Sequence, residues 1–127
     1  MTYIEKVIQL LFTLCLLTFT ALQFNDPDPT TWILFYLVCA VVPSLALFNR
    51  PIKPVFWIAL ALCGINLALY ASGAYNYYLH RTQEPLMQSM NPDKPYIEEA
   101  REFLGALIAL ILIVISNFLS ALKRRQP

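Results

Sequence analysis

FLGALIALILIVISNFLSAL fills residues 103–122 and contains no ionisable side chain. About 20 mostly apolar residues in a helix span the roughly 30 Å hydrocarbon core of a bilayer. Three similar runs precede it: VIQLLFTLCLLTFTAL at 7–22, WILFYLVCAVVPSLALF at 32–48, and VFWIALALCGINLALYASGAYNYY at 55–78. The pattern predicts an all-α chain folded as a four-helix transmembrane bundle. Its helices are expected at about residues 3–22, 31–48, 54–78 and 96–122, in one membrane domain over 1–127. The first run is read as a retained span, not a cleaved leader. Glu5 sits beside Lys6, the apolar run is long, and no clear small-x-small site precedes Gln23.

Composition agrees. Of 127 residues, 58% are hydrophobic and 13% charged, where a soluble domain has about a quarter charged. Mean hydropathy is +0.57. The net charge of +1 comes with no basic patch interleaved with aromatics, so no nucleic-acid partner is expected. Cys15, Cys39 and Cys63 each fall inside an apolar run and form no C-x-x-C pair.

Lys and Arg in short flanks set orientation. Lys6, Arg50 and Lys53, and Lys123 to Arg125 lie on alternate turns from the first loop, which has no basic residue. Short first and second loops make neighbouring helices antiparallel, in an up-down order. Both termini are then cytoplasmic, and the chain is integral to the inner membrane if bacterial. The first loop and the outer loop at 79–95 share the opposite face.

Helical periodicity assigns a polar or small stripe to each helix. Glu5, Gln9, Thr20 and Gln23 share one face of the first. Trp32, Tyr36, Cys39 and Pro43 line the second, and Ala59, Asn66, Tyr70, Gly73 and Tyr77 the third. On the fourth, Glu98, Arg101, Glu102, Gly105, Ala109 and Ser116 oppose Phe103, Leu107, Leu110, Ile111 and Val114. Apolar sides suit lipid, and small or polar stripes suit the bundle interior.

This topology collects polar and aromatic groups at the outer helix ends. They are Gln23, Asn25, Asp26, Asp28, Trp32, Tyr36, Tyr77, His80, Arg81, Glu98, Arg101 and Glu102. NDPDP at 25–29 also has a local account: its prolines break one helix and open the next, and Asp28 or Thr30 can cap it. Glu98, Arg101 and Glu102 have i,i+3 and i,i+4 spacing, which gives local ion pairs of a few tenths of a kcal/mol. Charges near hydrocarbon are nevertheless costly and are usually paired or functional. Asp26, Asp28, Glu98 and Glu102 are hard oxygen donors suited to a divalent cation. The single His80 argues against a zinc site, and no G-x-S-x-G nucleophile motif is present.

These residues resemble the transmembrane protein 220 family. The likeness rests on Gln23-Phe24-Asn25-Asp26-Pro27-Asp28, then Trp32 and Tyr36, then His80-Arg81-Thr82-Gln83, then Glu98-Glu99-Ala100-Arg101-Glu102 with Gly105. It covers nearly the whole chain. MQSMNPDKPY at 87–96 departs from the pattern as an insertion-like stretch. The resemblance implies a small multi-pass membrane protein and no particular activity. The expectation is a non-enzymatic membrane protein that binds a small ligand or a membrane-protein partner at the outer cluster, with the bilayer as its surroundings. No cofactor is evident. The alternative is a membrane enzyme or a divalent-cation-binding protein using the Asp/Glu cluster.

Overall fold

The structure, a computed structural model, describes residues 3–25, 29–50, 52–80 and 95–124. These form α1 (Tyr3–Leu22), a 3₁₀ turn (Gln23–Asn25), α2 (Pro29–Leu47), α3 (Lys53–His80) and α4 (Pro95–Arg124). The described residues include no strand. All four helices are long and apolar enough to cross a membrane, and the α4 window is the most apolar, with mean hydropathy 2.5. The 20 residues of α1 and 19 of α2 rise about 30 and 28 Å at 1.5 Å each. The 28 residues of α3 and 30 of α4 rise about 42 and 45 Å, more than the hydrocarbon core alone requires.

Proline and turn chemistry explain the helix ends. α2 starts at Pro29, two residues before the start expected at 31. A proline in the first turn has a preset φ and lacks an N–H that would have no helical partner. α2 ends in a Schellman motif. Asn49 has φ 61°, and the Arg50 N–H donates to the Leu45 carbonyl at 2.9 Å while the Asn49 N–H donates to Ala46 at 3.0 Å. The Ile52 carbonyl then accepts from Val55 and Phe56 to open α3. α2 continues through the fully buried Pro43, at the loss of one ladder donor.

The chain divides into two compact units, Met1–Leu62 with Ala109–Pro127, and Cys63–Ile108. In the first, one seam of each helix is buried. Gln9, Leu16 and Thr20 are buried on α1, and Trp32, Tyr36, Cys39 and Pro43 on α2. Phe56 and Ala59 are buried on α3, and Ala109, Ile113, Ser116 and Ser120 on α4. Leu10, Leu14 and Leu17 of α1 and Ile111, Val114 and Phe118 of α4 are exposed. Such apolar surface would be a liability in water and is the ordinary exterior of a chain in lipid.

Gln9 and Ser116, both fully buried, tie α1 to α4. The Gln9 Nε2 donates to the Ser116 carbonyl at 3.1 Å, and the Ser116 Oγ donates to the Gln9 Oε1 at 2.5 Å. Flipping the amide would point its oxygen at a carbonyl, so only this orientation satisfies both bonds. Gln9→Leu and Ser116→Ala are each expected to lower stability by about 1–2 kcal/mol, with a coupling of about 0.6–1.7 kcal/mol between them. A double-mutant cycle on melting in detergent measures this, and full additivity would deny the pairing. At the α2 terminus, Asn49→Ala is expected to cost about 1–2 kcal/mol for its left-handed φ. Asn49→Gly should cost clearly less in the same melting assay.

Candidate functional site

The outer cluster expected from the sequence draws residues from both units. In the first, the 3₁₀ turn after α1 holds Gln23, half-buried, with its Nε2 donating back to the Phe19 carbonyl at 3.0 Å. This satisfies a carbonyl in the last turn of α1. Phe19 stands edge-on to Tyr36, with centroids 5.6 Å apart and planes at 75°. Tyr36 packs on Phe35 at 4.9 Å and on Trp32 at 6.1 Å, and Trp32 meets Phe35 edge-on at 5.8 Å. Trp32 is 6% exposed and Tyr36 3%. Such pairs contribute about 0.5–1.5 kcal/mol each beyond area burial. Tyr36, backed by Trp32 and Phe35 on its own helix, therefore fastens α2 to α1 through Phe19. Phe24, beside Gln23, is 69% exposed.

The second unit pairs residues 63–80 of α3 with 95–108 of α4. Tyr77, Glu99, Arg101 and Glu102 are half-buried there, and the Arg101 Nε is buried. A close approach lies at Gly73, which is buried. A Cβ added to Gly73 would overlap both the Cβ and the carboxylate of Glu99. A missing side chain of this kind lets two helix backbones come together. Sequence periodicity placed Glu98 and Glu102 on the inner stripe of α4 and left Glu99 out of the cluster. The available signal was Gly73 itself, a gap on the α3 stripe that a neighbour must fill.

The remaining members fall outside the described residues. They are Asp26, Asp28 and Arg81, and the side chains of Asn25, His80 and Glu98. Among the described residues, no three His, Cys, Asp or Glu side chains form a group able to hold a metal. Cys15, Cys39 and Cys63 are in no disulfide, and the last two are buried. Chemically, the start of α4 offers two described carboxylates and a guanidinium within four residues, a set suited to hydrogen bonding and charge pairing.

Four apolar helices with polar groups held to inner stripes and helix ends define an integral, multi-pass membrane protein. The chain belongs to the family described as Transmembrane family 220, helix, whose model matches residues 12–118. No solved structure matches the chain.

Gly73→Ala is expected to lower stability by about 1–3 kcal/mol through overpacking. Glu99→Ala should not rescue it, because the Glu99 Cβ itself overlaps, whereas Glu99→Gly should restore much of the loss. Thermal melting of the three variants measures this. An unchanged melting temperature for Gly73→Ala would rule out the close approach.

Proposed function

We propose that this is a non-enzymatic membrane protein that binds a small ligand or a membrane-protein partner through its outer helix ends. The candidate residues are Gln23, Asn25, Asp26, Asp28, Trp32, Tyr36, Tyr77, His80, Arg81, Glu98, Arg101 and Glu102. The observation that carries this is the half-burial of Glu99, Arg101 and Glu102 at the start of a span. Charges withdrawn from water beside hydrocarbon are costly, and such groups are usually paired or functional.

In this reading the chain is one membrane domain with antiparallel neighbours and both termini cytoplasmic. The basic α2–α3 turn, Arg50 and Lys53, supports the orientation. The Phe19–Tyr36 contact between late α1 and early α2 supports the antiparallel order.

A photo-reactive phenylalanine analogue at Phe24 tests the binding in intact membranes. A discrete adduct is expected, and Glu102→Gln should diminish it at unchanged melting temperature. No adduct, or one indifferent to Glu102→Gln, would count against the reading. If elemental analysis found about one divalent ion per chain with calcium-dependent melting, the cluster would instead be a cation site.

A further inference from the structure

The apolar span of α2 ends at Leu47 and that of α3 begins at Lys53, so the turn between them lies where the chain leaves hydrocarbon. A turn in water would carry polar side chains. Here Phe48 is 69% exposed and Ile52 49%, on either side of the exposed Arg50, and the exposed Lys53 follows. One turn into α3, and on the same face as Lys53, Trp57 is 60% exposed. Left-handed Asn49, with the bonds from the Asn49 and Arg50 N–H groups back to α2, fixes the exit from that helix.

Charge at this turn is of one sign. No Asp or Glu occurs between Asp28 and Glu84, and Glu5 is the only described carboxylate of the first unit. Ser120 of α4, whose buried Oγ makes no hydrogen bond, lines a small cavity with Ile52 and Lys53. From there α4 runs one more turn, about 6 Å, through Lys123 to Arg124. All these residues belong to the first unit. The cavity measures about 10 Å³, room for one water. A larger ligand must lie outside it, against the exposed groups of the turn. Exposed cations beside exposed rings suit the headgroup region, where the apolar side chains reach acyl chains and the cations reach phosphate. A zwitterionic headgroup offsets its phosphate with its own ammonium, and an anionic one does not. Each cation near the surface therefore favours the anionic lipid on the order of fivefold.

We propose that the α2–α3 turn is a docking surface for an anionic phospholipid, with Arg50 and Lys53 at its headgroup and Phe48, Ile52 and Trp57 against its acyl chains. The surface is separate from the outer cluster and does not depend on what that cluster binds.

Trp57 is the reporter for the test, because Trp32, the other tryptophan, is only 6% exposed. The full chain is reconstituted in phosphatidylcholine bilayers that hold an equal fraction of either phosphatidylglycerol or phosphatidylcholine brominated on its acyl chains. Quenching of tryptophan fluorescence is then compared. Brominated phosphatidylglycerol is expected to quench more strongly, with an association about fivefold or more above that of phosphatidylcholine. Arg50→Gln combined with Lys53→Gln should bring the two lipids to parity. Its melting temperature should be unchanged, because both side chains are exposed. Arg50→Lys combined with Lys53→Arg should keep the preference, and its loss there would deny that charge selects the lipid. Equal quenching by the two lipids in the wild type overturns the proposal. So does a preference that persists in the doubly neutralised variant, or one that survives Trp57→Phe.

Discussion

Hydrocarbon offers no hydrogen-bonding partner, so a polar group placed in the span costs free energy unless the protein itself satisfies it. This constraint organises the first unit. Thr13, Thr18 and Thr20 fold back on their own helix, and Gln23 does the same at the end of α1. Gln9 cannot reach water from the interior, so it takes both a carbonyl and a hydroxyl from Ser116 on α4. The bond is worth little net, because an unfolded chain in a membrane also finds partners. Its importance lies in specificity: a different register of α1 on α4 would leave two buried polar groups unmatched.

Association in lipid cannot rely on expelling water from apolar surface, so close packing takes over. Small residues recur where helices meet. Ala59, Ala106 and Ala109 have no exposure, and Cys39 and Cys63 are likewise sealed. Gly73 carries this furthest by admitting Glu99 against its backbone. α2 is the most enclosed helix: 44% of its apolar window is buried, against 11% for α3. Its aromatic wall of Trp32, Phe35 and Tyr36 holds the C-terminal end of α1 through Phe19. The opposite end of α2 closes with the left-handed Asn49, which turns the chain sharply enough for α3 to begin four residues later.

Much of this was legible from periodicity. Gln9 and Thr20, then Trp32, Tyr36, Cys39 and Pro43, and Ala59, Ala109 and Ser116 are among the buried positions. They were readable because lipid and interior select opposite residue types on a helix of fixed period. Partnership was not readable. Gln9 and Ser116 lie 107 residues apart, and nothing in local sequence links them. Glu99 was passed over for the opposite reason. Its place depends on a missing Cβ on another helix, which periodicity along α4 does not register. Ser120 lies four residues beyond Ser116 on the same seam, yet what makes it unusual is that Gln9 occupies the carbonyl it would otherwise use.

By itself the sequence determined the number of helices, their approximate ends, their apolar faces and membership of a membrane family. Apolar run length and helical period are properties of the chain read one turn at a time. Only the tertiary structure decided which polar groups satisfy one another and which does not. It placed a carboxylate where a glycine leaves room, joined α1 to α4 through one reciprocal pair, and left one buried hydroxyl beside a lysine. Hydrogen bonds are short-ranged and directional, so their outcome depends on which helices touch and in what register, and a one-dimensional pattern does not carry that information.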